Sequence, residues 1–198
     1  SPVSTATMAE PTTTTTTTAP EATATTGTTT TTNGTTTASP SKASTVTLRE
    51  ITKDDWRAIT QLAPFPSQSA NVSTNAMSLV EAHYSFDAWF RAIYADETPV
   101  GFLMMSIWDP EDWYCIWRFM IDARYQKMGF GRQAILLAIE HVKTNHPQAK
   151  LLRLMSASPD GKKGTLPEDS PYKFYASLGF KDIAEIDERG EIEMGMDL

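Results

Sequence analysis

The sequence predicts a mixed α/β domain, with a central sheet of about six to seven strands and flanking helices behind a disordered tail. Three observations carry this. "YCIWRFMID" (Tyr114 to Asp122) is nearly continuous apolar residue, as expected of a central strand buried on both faces. It runs through a glycine-bearing turn straight into the helical pattern "GRQAILLAIEHVKTNH", which sets Ile135, Ile139 and Val142 on one side. Residues 1–45, by contrast, are about half threonine, with no aromatic residue and only three charges, Glu10, Glu21 and Lys42. Such a segment buries too little apolar surface to offset the entropy of ordering it. That leaves residues 46–198 as one domain, 153 residues (198 − 45), enough for a proper core.

Taken in order, "STVTLREI" from Ser44 alternates and reads as a first strand. "TKDDWRAITQLA" opens on Thr52, a plausible N-cap, and spaces Trp56, Ile59 and Leu62 for one helical face. "PFPSQ" breaks that pattern, and "STNAMSLVEAHY" is a second helix with Ser73 or Asn75 as its cap. "FRAIYADETPVGFLMMSIW" reads as a hairpin turning at Asp96 to Pro99, and "DPEDW" turns into the central strand. After the long helix, which Pro147 follows, come the strand "AKLLRLMSA" and the short helix "SPYKFYASLG". Pro171 lies in the first turn of that helix and Gly179 closes it. "FKDIAEID" and "EIEMGMDL" finish as a hairpin around Arg189 and Gly190.

Charge and composition narrow the function. The chain carries −7 and its first 45 residues −1 (one Lys minus two Glu), leaving about −6 on the domain. That balance argues against nucleic acid as a partner and suits a small cationic substrate. A single cysteine, Cys115, excludes an intramolecular disulfide, and its apolar surroundings make it a buried small hydrophobe rather than a nucleophile. His83, His141 and His146 have no ligand spacing, so no metal is expected. The polar start and the lack of a long apolar run predict no signal peptide and no membrane partner, hence a cytoplasmic protein.

The glycine turn "RYQKMGFGRQAI" (Arg124 to Ile135) sits where a strand becomes a helix, a natural seat for an anion. It is not a Walker A loop, since Arg132 and Gln133 follow Gly131, and it lacks the third glycine of the dinucleotide fingerprint. Gln126-Lys127-Met128-Gly129-Phe130-Gly131 instead resembles the Q/R-x-x-G-x-G/A pyrophosphate loop of the GNAT acetyltransferases. "WRFMIDARYQKMGFGRQAI", "NAMSLVEAHY", "PVGFLMM", "FYASLGF" and "RGEIEMGMDL" are similar, in order, to stretches of polyamine acetyltransferases of the bacterial spermine/spermidine type. Two departures stand out: Lys127-Met128 replaces Gly-Lys, and Glu168 stands at the offset where the family usually has Asn.

What the resemblance implies is a GNAT fold and transfer of acetyl from acetyl-CoA, as co-substrate, to a primary amine, most naturally spermidine or spermine. The loop residues Gln126, Lys127, Met128, Gly129, Phe130, Gly131 and Arg132 would hold the pyrophosphate. The strand backbone of Phe119, Met120 and Ile121 would hold the pantetheine and polarise the carbonyl. Tyr175, four residues before Gly179, matches the family's acid, although the local sequence also offers Tyr172. Glu81, Asp112 and Glu191 are the candidates for binding a cationic amine. Solvated helix, loop and strand-end positions are the alternatives. Arg118, the only charge in the central strand, reads first as half of a structural ion pair. A homo-oligomer, in the form of a dimer, is left open. The alternatives to a polyamine are another small amine, a protein N-terminus, or a non-catalytic acyl-CoA-binding module.

Overall fold

The computed structural model describes residues 39–160 and 167–198. The proposed disordered tail therefore lies, up to residue 38, outside the described residues. Residues 39–45 form a turn that leads into the sheet: Ser44 is buried, and the Thr45 amide donates to Asp96 Oδ1 at 2.9 Å. The elements are β1 (Val46–Arg49), α1 (Trp56–Gln61), α2 (Asn75–Tyr84), β2 (Ala88–Ala95), β3 (Thr98–Trp108), β4 (Trp113–Ile121), α3 (Phe130–Asn145), β5 (Leu151–Ala157), α4 (Tyr172–Leu178), β6 (Lys181–Asp182) and β7 (Glu191–Asp197). The strands form one seven-stranded sheet in the order β1-β2-β3-β4-β5-β7-β6, antiparallel except for the parallel pair β4 and β5.

β4 is apolar on both faces because both faces are covered. On one, Tyr114 and Ile116 pack with Phe130, Ala134, Ile135 and Ala138 of α3. On the other, Met120 joins Phe102 and Met104 of β3 beneath Ile59 of α1 and Ala82 of α2. Burying a side chain such as Phe102 stabilises the fold by about 1.5–3 kcal/mol relative to leaving it in water.

Several boundaries differ from expectation for identifiable reasons. α1 begins at Trp56 rather than Thr52. The turn before it is continuous with the helix: the Thr52 carbonyl accepts from the Trp56 amide at 3.1 Å, and its hydroxyl from the Asp54 amide at 3.3 Å. The Asp55 carboxylate takes the Thr52 amide at 2.6 Å, so Thr52 caps the turn that leads into α1. Ile59 and Leu62 are buried, while Trp56 keeps 41% of its surface exposed. The cap of α2 is Thr74, whose hydroxyl accepts from the Met77 amide. Asn75 is instead buried and donates to the Ile59 carbonyl at 2.8 Å, tying the two helices together. The expected strand at 180–187 shrinks to Lys181–Asp182. Beyond Ile183 the Asp187 carboxylate collects the amides of Arg189 and Glu191 and turns the chain out of the ladder. A short edge strand also limits sheet-to-sheet association.

Candidate active site

Two features of β4 create the site. Opposite β3, Met104 pairs with Arg118 and Met105 with Ile116, so Trp117 is an extra residue that bulges from the strand. On its other edge β4 pairs with β5 only at Cys115–Arg153 and Ile116–Leu154. β5 continues beside β7 as far as Ala157, while β4 continues beside β3 as far as Ile121. The parallel strands thus part after Ile116, and from Trp117 to Ile121 the main chain has no β5 partner. The opening is a cleft of about 520 Å³. Its walls include Trp117 to Ile121 of β4, Met155 and Ala157 of β5, and Phe174 and Tyr175 of α4.

The glycine loop closes one end. Asp122, buried at the end of β4, accepts from the amides of Ala63 and Arg124 and from the Arg124 side chain at 2.7 Å. Burial pushes its carboxyl up, but these donors outweigh burial and hold it below the usual carboxylate range. Gln126 donates to the Ile121 carbonyl at 3.0 Å and to Gln68 at 2.8 Å. Lys127 then takes φ 61° and Gly129 φ 91°. The left-handed turn at Lys127, where the resembled family carries glycine, costs on the order of 1 kcal/mol because of its β-carbon.

Gly129 caps α3. The Gln133 amide is already bonded to the Gly129 carbonyl at 3.2 Å, so the amides of Phe130, Gly131 and Arg132 have no helical acceptor. Gly129, Gly131, Lys127 and Arg132 all line the cleft. A β-carbon on Gly131 would meet Ile121, Phe119 and Phe174 at 3.5 Å, which is ordinary contact, so bareness there keeps the floor low rather than relieving strain. Orphan amides, the positive end of a 16-residue helix and two cations suit a pyrophosphate. The unpaired strand edge suits an amide-bearing chain such as pantetheine. Met128 turns inward and packs against the core.

Tyr175 lines the cleft with its ring packed between Phe119, Phe174 and Phe180. Burial pushes its hydroxyl well above the ordinary tyrosine value, and no hydrogen bond reaches that hydroxyl among the described residues. Tyr172, by contrast, donates to Asp182 at 3.1 Å on the outside of α4. Cys115 is a strand residue whose thiol burial pushes up to about 12, inert as the sequence suggested.

The three acceptor candidates separate. Glu191 lines the cleft at the start of β7, and Arg189 lies 3.7 Å from it. Glu81 sits on α2 and pairs with Arg118 at 3.1 Å, so the central-strand cation has the carboxylate partner it needed. Asp112 occupies a left-handed turn before β4, four residues from Ile116 and so about 13 Å along an extended strand. It does not border the cleft. Three contributors were given no site role in the sequence, where Glu168 was noted only as standing at the offset of the family's Asn. The loop at 64–72 forms the far wall through Gln68, Asn71 and Val72, and is fastened across the mouth by Ser67 and Asn71 to Asp169. Glu168 and Asp169 face the same space. A second, polar hollow of about 380 Å³ continues past Arg118 and Glu191 between Ser69, Ser73 and Arg189.

The acetyltransferase (GNAT) family profile matches residues 46–180. The PaiA N-acetyltransferase of Thermoplasma acidophilum, solved with coenzyme A, superposes with a TM-score of 0.56 at 17% identity, covering 78% of this chain and 99% of its own. SpeG of Vibrio cholerae, a spermidine/spermine N-acetyltransferase, gives 0.56 at 16%, over 79% and 94%. The ribosomal-protein-S18-alanine N-acetyltransferase of Escherichia coli gives 0.55 at 14%, over 77% and 94%. These likenesses are of fold. No curated protein matches the chain. Among the described residues no group of three or more His, Cys, Asp or Glu is placed to hold a metal ion, and no helix is long and apolar enough to cross a membrane.

Proposed function

The chain belongs to the GNAT acetyltransferase family, whose members draw acetyl from acetyl-CoA, and from that premise we propose that it acetylates a primary amine of the polyamine class, spermidine or spermine. The observation that carries the transferase reading is the parting of β4 from β5 beside the bare N-terminus of α3. Acetyl-CoA supplies an activated thioester. The protein's part is to bind and orient it: amides 130–132 with Lys127 and Arg132 at the pyrophosphate, and the edge from Phe119 to Ile121 along the pantetheine. A main-chain N–H on that edge polarises the acetyl carbonyl. The neutral amine attacks the acetyl carbon, and the carbon–sulfur bond breaks as the tetrahedral intermediate collapses. The Tyr175 hydroxyl, kept protonated by burial, protonates the departing sulfur, while the proton released from the acetylated nitrogen restores it.

A cationic acceptor is supported by the carboxylates of Glu168, Asp169 and Glu191 around the cleft and by the net charge of −7. Glu81 enters this reading through Arg118, as the residue that neutralises it beside the acceptor path. A spermidine acetyltransferase and a protein-alanine acetyltransferase share this fold, so the side chains at the cleft decide the acceptor.

The test is thiol release from acetyl-CoA across a panel of spermidine, spermine, a monoamine and a peptide N-terminus, with CoA binding measured alongside. Fastest release with the polyamines is expected. Tight CoA binding with no release for any amine would identify a non-catalytic acyl-CoA module. Preference for the peptide would move the acceptor to protein N-termini.

A further inference from the structure

The polar hollow beside the cleft has a carboxylate where the two spaces join. Glu191 borders both, as does Arg118, whose charge Glu81 already answers at 3.1 Å. The cation that faces Glu191 is Arg189, in the turn before β7. Its guanidinium reaches two carboxylates at once, 2.9 Å from Asp187 and 3.7 Å from Glu191, with 72% of the side chain exposed. The turn does not depend on that side chain. One oxygen of Asp187 takes the amides of Arg189 and Glu191, each at 2.9 Å. The Gly190 amide donates to the Asp187 carbonyl at 2.9 Å, and Gly190 carries the positive φ of the turn. Arg189 is therefore an exposed arm on a fixed turn. Another wall of the hollow is Ser69, which gives its hydroxyl proton to the Pro66 carbonyl at 2.7 Å, so its oxygen is left as an acceptor.

We propose that this hollow is the subsite for a second ammonium of the acceptor, and that Arg189 is a built-in cation competing for it. The inference rests on the polyamine reading above. An ammonium brings three donors and no acceptor, which suits Glu191 and the Ser69 oxygen. An oxyanion would instead meet the Glu191 carboxylate, on a chain that carries −7. With Arg118 neutralised by Glu81, the hollow is balanced while Arg189 faces Glu191, and it bears one uncompensated negative charge once Arg189 turns outward. Turning outward costs little, because so exposed and so long an ion pair is weak. An acceptor whose first amine lies at the open edge of β4 brings its second ammonium to Glu191 and displaces the arginine. A monoamine has nothing to place there and does not compete. Arg189 thereby raises the concentration at which a polyamine fills the site, so that turnover follows the polyamine level instead of saturating below it.

A double-mutant cycle on the full chain tests this, read by thiol release from acetyl-CoA with spermidine and with butylamine. Arg189→Gln should lower the Michaelis constant for spermidine about fivefold, the order for release of an exposed ion pair, and leave that for butylamine within about twofold. Far-ultraviolet circular dichroism should match the wild type, since Asp187 holds the turn through main-chain amides. In a Glu191→Gln background the same Arg189→Gln change should bring no gain for spermidine, because the carboxylate that the arginine shields is gone. An equal gain in both backgrounds would overturn the proposal, as it would show the arginine acting only through the general field of the protein. So would the absence of a gain in either. These results, obtained with a wild type that acetylates spermidine, would sink the subsite alone. No release with any polyamine in any variant would sink the acceptor reading and the subsite with it.

Discussion

The two edges of β4 divide the labour of the molecule. Against β3 the strand is paired from Trp113 to Ile121, broken only by the Trp117 bulge, and every consequence is structural: buried apolar faces and a fixed register. Against β5 it is paired at two positions and then let go, and the cleft lined by Lys127, Arg132 and Tyr175 opens there. One strand can do both because its side chains serve the two cores above and below, while its main-chain groups are spent on one edge and left for a ligand on the other. Mutations on the open edge should therefore change rate or affinity, and mutations on the closed edge should change stability.

The largest effect is expected on the open side. Tyr175→Phe keeps the ring among Phe119, Phe174 and Phe180 and removes only the hydroxyl. The turnover number should fall 10²- to 10⁴-fold, with acetyl-CoA binding nearly unchanged. Normal turnover here together with a loss in Tyr172→Phe would move the acid to the outer tyrosine. On the closed side, Phe102→Ala empties a fully buried position and should cost about 3–5 kcal/mol in denaturant unfolding. Below its melting temperature the variant should still bind CoA, and failure to do so would blur the division between the edges.

Asp122 joins the two regimes, because its carboxylate fastens the end of β4 to the chain after α1 and to the glycine loop. Asp122→Ala should cost about 2 kcal/mol, the order for removing a charged acceptor from buried donors. Its folded pKa is depressed. The stabilisation is therefore complete above the unfolded value, about 3.9, and is lost as pH falls through the lower folded value. Acid titration of unfolding should show that limb in the wild type and a weaker one in the variant.

Gly131→Val is milder, since its first carbon is tolerated and only the branched methyls intrude into the cleft. The Michaelis constant for acetyl-CoA should rise about tenfold, equivalent to 1.4 kcal/mol, with the fold intact. Unchanged affinity would remove the pyrophosphate assignment. Smallest is the acceptor effect. Glu191→Gln should weaken a polyamine several-fold more than a monoamine, and salt should erode the difference over a screening length of ~8 Å. Glu81→Gln, which releases Arg118, should affect both acceptors alike. A polyamine-selective loss there would place Glu81 in the acceptor site.

By itself the sequence determined what depends on neighbours along the chain. The apolar run of β4, the left-handed glycine at 129, the long helix after it and the Tyr175 to Gly179 spacing are all local, because capping, backbone freedom and periodicity act over a few residues. Motif order extended that to the family. Only the tertiary structure decided which strands meet and where they part. Cys115 finds Arg153 across 38 positions, no local propensity encodes that the ladder stops one pair later, and the cleft exists because it stops. For the same reason the fold alone brought the loop at 64–72 to the cleft wall, gave Arg118 to Glu81 and left Asp112 at the far end of its strand. Charge can be counted from a sequence, but its partner is set by contacts between segments distant along the chain.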